Sequence, residues 1–112
     1  MGLTVRPAVP ADVARLAALG AEHRRRLAGW SPMWWRAAAG ADEIHPLWLG
    51  HLVADEGTVA RVIEQDGEVV GGAVSLHQPG QWFVDDVALA DDAAWPGAGV
   101  ALLQAIAERP AL

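Results

Sequence analysis

The segment Ala94-Trp95-Pro96-Gly97-Ala98-Gly99-Val100 places two glycines between a strand-like run and the start of an apolar-periodic helix. Glycine lets backbone amides approach a ligand closely, and a helix N-terminus adds unpaired N–H donors and a positive dipole end. The chemistry this suits is capture of a pyrophosphate. Two glycines alone more often serve an ordinary strand-to-helix bend, so the loop gains weight only from its setting. Just upstream lie two adjacent carboxylates, Asp85 and Asp86. Strand alternation sends them to opposite faces, so one of the two can face a cleft. His45 and His51 are six positions apart, which does not put them on one helical face, and no acidic third ligand is obvious. No metal site is expected. His77 reads as a solvated loop histidine. Arg24, Arg25 and Arg26 could meet an anion, but read more simply as a solvated helix end near the negative end of the dipole, supported by Glu22.

The elements that must position these residues follow from periodicity. Leu3 to Arg6 is a short alternating segment, closed by Pro7 and Pro10. Pro10 and Asp12 suit the first turn of a helix. Val13, Leu16, Gly20, His23 and Leu27 then recur as one buried stripe, with Gly29 as the stop. A small helix over Arg36 to Ala39 and another from His45 or Pro46 to about Asp55 come next. The period then changes. Thr58 to Gln65 and Glu68 to Leu76 are valine-rich runs around Asp66-Gly67, a pair that favours the positive φ of a tight hairpin turn. Trp82 to Leu89 is a third run, and Val100 to Arg109 a helix with Leu102, Leu103 and Ile106 inward. The order is strand, helix, helix, strand, strand, strand, helix, which gives an α/β layer with helices on the faces of a sheet.

Composition narrows the function classes. With 112 residues, 53% of them hydrophobic, the chain supports one core. A formal charge of −6 argues against nucleic acid as partner. Cysteine is absent, which removes disulfides, thiolate metal ligands and cysteine nucleophiles. No apolar run is long enough to span a bilayer and no signal peptide is visible, so no membrane partner and a cytoplasmic location are expected.

Taken in order, these segments resemble the GNAT superfamily of acyl-CoA-dependent N-acetyltransferases. The Asp12 region is similar to its first helix, the Asp66-Gly67 hairpin to its second and third strands, and Val87-Ala88-Leu89 to its fourth strand. Ala94 to Gly99 lies where the family has its Gln/Arg-x-x-Gly-x-Gly/Ala acyl-CoA loop. Gly97 and Gly99 fit that pattern, while Ala94 stands in place of the Gln or Arg. The resemblance implies a single partial domain over residues 1–112, with a GNAT-like mixed, mainly antiparallel sheet flanked by helices and truncated after the acyl-CoA-loop helix. It implies acetyl-CoA or another acyl-CoA as co-substrate and transfer of the acyl group to a small-molecule or peptide amine. Amides from Trp95 through Val100, Ala98 included, would cradle the pyrophosphate. The backbone of Val87, Ala88 and Leu89 would hold the pantetheine arm and polarise the thioester carbonyl. Asp86, or alternatively Asp85, would be the general base. Trp30, Trp34, Trp35 and Trp48 would line an acceptor pocket, although core and interface packing is the commoner use of tryptophan. The chain has no tyrosine to match the one that often protonates the leaving thiolate in the family. The family's fifth strand would come from sequence after Leu112 or from a partner chain, so a homodimer or pairing with a C-terminal half is expected. The alternative is a non-catalytic CoA-binding or interaction module acting as a dimer.

Overall fold

The structure is a computed structural model that describes residues 2–31, 33, 39–78 and 81–107, with backbone alone for residues 77, 78, 81–83 and 85. Strand β1 (Leu3–Pro7) leads through a short turn at Pro10–Asp12 into helix α1 (Val13–Trp30). Helix α2 (Ala41–Ala54) follows, then strands β2 (Thr58–Gln65), β3 (Glu68–Gln78) and β4 (Gln81–Leu89), and finally helix α3 (Val100–Ala107). The sheet has the order β1-β2-β3-β4, and every neighbouring pair is antiparallel. The expected order of elements and the α/β layering are present, and the sheet is antiparallel throughout these four strands.

Local chemistry explains most boundaries. Asp66 and Gly67 both take positive φ, 53° and 82°, which is the twist a two-residue hairpin turn needs to match its strands. At the start of α1, the Val9 amide donates to Asp12 Oδ2 (2.8 Å). Arg6 holds the same carboxylate through both oxygens, at 2.8 and 2.9 Å, and reaches Glu64 Oε1 at 2.7 Å. That network ties β1, α1 and β2 at one end of the sheet. These hydrogen bonds from Arg6, with the Val9 amide, hold the buried Asp12 carboxyl below the usual carboxylate range, against its burial.

The core lies on both faces of the sheet. On one, α1 and α2 bring Leu16, Leu49 and Leu52 onto Ala60, Val62 and Val74. On the other, Leu102 and Ile106 of α3 meet Ile63, Ala73 and Leu89. Each fully buried aliphatic side chain contributes about 1.5–3 kcal/mol. Gly72 lies directly beneath Leu16, so a Cβ there would overlap the leucine that seats α1 on the sheet.

Several expectations are corrected. Helix α2 starts at Ala41, four residues before His45, and carries Pro46 inside it. The proline drew the expected boundary too late, whereas Gly40 at φ 77° makes the entry, and Asp42 and Glu43 supply an acidic first turn. Gly29 lies inside α1 and not beyond it. Leu103 is exposed, while Leu102 and Ile106 are fully buried. The small helix expected over Arg36 to Ala39 falls on residues outside the described ones, apart from Ala39, which lies in a turn.

Candidate active site

Strand β4 carries a bulge. Val74 pairs with Asp86 but Ser75 pairs with Val84, so Asp85 is the extra residue on β4. A bulge bends its strand and breaks the strict alternation of side chains. The expectation that Asp85 and Asp86 point to opposite faces through simple alternation therefore does not apply there. Asp86 lies opposite Val74, which belongs to the core beneath α1 and α2. Its carboxylate is directed to that side, where Oδ2 lies 2.8 Å from His45 Nε2 of α2. The side chain of Asp85 lies outside what the structure describes.

The Asp86–His45 contact continues into a chain. Arg24 of α1 places NH1 3.2 Å from His45 Nδ1 and donates through NH2 to Asp42 Oδ1 at 2.7 Å. That hydrogen bond holds the exposed Asp42 carboxyl below its ordinary range. His45 and Asp86 keep 15% and 29% of their side-chain surface accessible, so the pair is partly shielded yet reachable. Gly20 makes the geometry fit, because a Cβ there would come within 2.5 Å of His45 Cε1 and 2.9 Å of Nδ1. A cavity of about 250 Å³ opens beside the pair, walled by Arg24, Ala39, Ala41, Ile44, His45 and Trp48. Sequence reasoning set His45 aside as an improbable metal ligand and missed this partnership. The two residues are 41 positions apart, and no local pattern links them.

The arginine run divides its work. Arg24 joins α1 to α2, and Arg26 NH2 donates to the Leu89 carbonyl at 2.7 Å. Arg26 Nε also lies 2.9 Å from Asp92 Oδ2, an ion pair without hydrogen-bond alignment. Of the three, Arg25 alone fits the expected solvated helix end. The bond to Leu89 also fixes the sense of the β4 edge. Ala90 donates to Val70, and the Leu89 carbonyl accepts from Arg26 and so turns away from β3. Alternation of an antiparallel ladder turns the backbone groups of Val87 outward as well, and those of Ala88 toward Gly72.

The glycine loop forms a wide helical turn over Trp95–Gly99 ahead of α3. Asp91 enters it by accepting the Ala93 amide at 3.0 Å. The Trp95 amide donates to the Asp92 carbonyl and the Val100 amide to those of Gly97 and Trp95, while Pro96 has none to give. Of the expected acyl-CoA loop, Ala94, Gly97 and Ala98 line a cavity of about 310 Å³, completed in part by Val70, Ala90 and Asp91. The two glycines differ in their reasons. A Cβ at Gly99 would overlap the Trp95 ring, whereas a Cβ at Gly97 would meet nothing within 4 Å. Gly99 is therefore needed for packing, and Gly97 is the one left open to an approaching ligand.

Of the tryptophans weighed for an acceptor pocket or for packing, two have described side chains. Trp30 and Trp48 are both exposed, and Trp48 stacks on His51 at 5.7 Å between ring centroids. Trp34 and Trp35 lie outside the described residues, as does the side chain of His77. Among the described residues no three histidine or carboxylate side chains gather as a metal site. Nor is any described helix long and apolar enough to cross a membrane.

Comparison with known proteins locates this architecture. No family model matches the sequence, and no curated protein matches it either. Solved structures do. A ribosomal-protein-alanine N-acetyltransferase from Brucella melitensis biovar Abortus 2308 superimposes with a TM-score of 0.63 at 18% identity, covering 96% of this chain and 70% of its own. A GCN5-related N-acetyltransferase from Ralstonia eutropha JMP134 gives 0.67 at 22% identity, covering 92% and 72%. An aminoglycoside acetyltransferase from an uncultured soil metagenomic sample gives 0.59 at 20% identity, covering 93% and 68%. The chain has the GNAT-superfamily fold and spans about 70% of the first of these structures.

Proposed function

We propose that this chain is an acyl-CoA-dependent N-acyltransferase that moves an acetyl or similar group from CoA to an amine, with Asp86 as general base. The observation that carries the reading is the bulge at Asp85, which sets Asp86 beside the outward-turned edge of β4 and upstream of the open Gly97 turn. The amides of Gly97 and Ala98 would receive the pyrophosphate, and the outward N–H of Val87 would polarise the thioester carbonyl. The acceptor amine attacks that carbonyl carbon while Asp86 takes its proton, directly or through one water. Collapse of the tetrahedral intermediate breaks the carbon–sulfur bond and expels CoA as thiolate. Water protonates the thiolate. The net charge of −6 suits a cationic amine as acceptor, in a cytosolic setting. The test is thiol release from acetyl-CoA against a panel of primary amines. The unaltered chain is expected to release thiol with at least one amine, and Asp86→Asn to slow this by about 10²–10⁴-fold, the usual worth of a positioned base. Equal rates for both proteins would remove Asp86 from the role.

A second reading is favoured by the surface. β4 has a sheet neighbour on one side alone among the described residues, and Ile44, Leu47 and Trp48 of α2 are exposed. On this reading the scaffold is an interaction module that pairs two chains through the β4 edge. Sedimentation separates the two, because a monomer at high micromolar concentration that still binds CoA is incompatible with an obligate dimer module.

A further inference from the structure

We infer that His45, held by Arg24, is the positioning residue that fixes the orientation of Asp86. The inference rests on the reading of Asp86 as base, and its chemistry follows from donor and acceptor types. A guanidinium can donate and cannot accept. Arg24 NH1 lies 3.2 Å from His45 Nδ1, so that nitrogen must offer its lone pair. The ring proton therefore belongs on Nε2, which lies 2.8 Å from Asp86 Oδ2 and donates to it. Arg24 in turn is anchored by Asp42 at 2.7 Å, and Gly20 leaves room for the imidazole against α1. Two helices thus set one tautomer, and that tautomer holds one carboxylate oxygen. Oδ1 would then take the proton of the acceptor amine. An unheld carboxylate on a bulged strand would rotate freely about its terminal torsion and spend less time aligned with the nucleophile.

The tautomer and the rate test this separately. In the unaltered chain, nitrogen-15 NMR of the His45 ring is expected to show a protonated Nε2 and an unprotonated Nδ1, and Arg24→Ala to release the ring into a mixture of tautomers. In the thiol-release assay, His45→Ala is expected to lower kcat by about 10–100-fold, with KM for acetyl-CoA changed by less than about twofold. His45→Gln keeps an N–H donor near the place of Nε2 and should recover kcat to within about fivefold of the unaltered chain. A proton found on Nδ1 would overturn the inference, and so would His45→Gln proving as slow as His45→Ala. So would an unchanged kcat in His45→Ala where Asp86→Asn has lost activity. If the unaltered chain releases no thiol with any amine, the acyl-transfer reading fails by itself, while the proton position on the ring still decides whether Arg24 and His45 present a donor to Asp86.

Discussion

Gly20 decides where His45 can sit, and through it where Asp86 points. Alanine in place of a helical glycine ordinarily stabilises by about 0.5–1 kcal/mol. At Gly20 the added Cβ would press on the imidazole at 2.5 Å. Gly20→Ala is therefore expected to reverse that gain, to lower stability by about 1–3 kcal/mol in urea melts, and to slow thiol release without touching a titratable group. Asp12 makes a second prediction at this scale. Its hydrogen bonds from Arg6 hold its folded pKa below the ordinary 3.8. Stability from this group is thus fully present above about pH 4 and is lost as the pH falls through the depressed folded value. Asp12→Asn is expected to reduce stability near neutral pH by about 1.5–3 kcal/mol and to flatten the acid limb of a stability-against-pH curve. A limb of unchanged steepness would mean that other carboxylates govern acid unfolding.

The elements divide into those whose cause is local and those whose cause is distant. The β2–β3 hairpin was legible because Asp66-Gly67 dictates its own turn within two residues. The glycine turn before α3 was legible in place but not in detail. Nothing in Gly97-Ala98-Gly99 says that Trp95 will fold over one glycine and spare the other. That difference is testable. Gly99→Ala is expected to cost about 1–3 kcal/mol of stability through overlap with the Trp95 ring. Gly97→Ala is expected to leave stability within about 0.5 kcal/mol. If its amide receives a pyrophosphate, Gly97→Ala should also weaken CoA binding by about tenfold, or 1.4 kcal/mol. The bulge at Asp85 was not legible, because Phe83 to Leu89 contains neither glycine nor proline to mark it. Its cause lies in pairing with β3. The start of α2 was misplaced for a related reason: proline usually begins a helix, and here the packing of α2 on the sheet tolerates Pro46 inside one.

At the scale of the molecule, order and layering could be read from the chain because the hydrophobic period changes with each class of element: alternating at Leu3, helical from Val13, alternating again from Thr58 and helical from Val100. The candidate site is legible only in part. Asp86 and the glycine loop belong to one stretch of sequence, so a strand–loop–helix pattern reveals both. Arg24 and His45 come from two helices far from β4 in sequence, and their contact with Asp86 depends on tertiary packing. The arginine run reads as surface charge for the same reason, although Arg26 reaches Leu89 and Asp92. The fold is that of the GNAT superfamily, and the proposal that joins its parts is that the open turn at Gly97 and the outer edge of β4 receive an acyl-CoA. Calorimetric titration of the folded 112-residue chain with acetyl-CoA and with CoA tests that claim most directly. Saturable binding of both is expected, weakened in Gly97→Ala and unchanged in Asp86→Asn. No heat of binding from folded protein at millimolar ligand would contradict it.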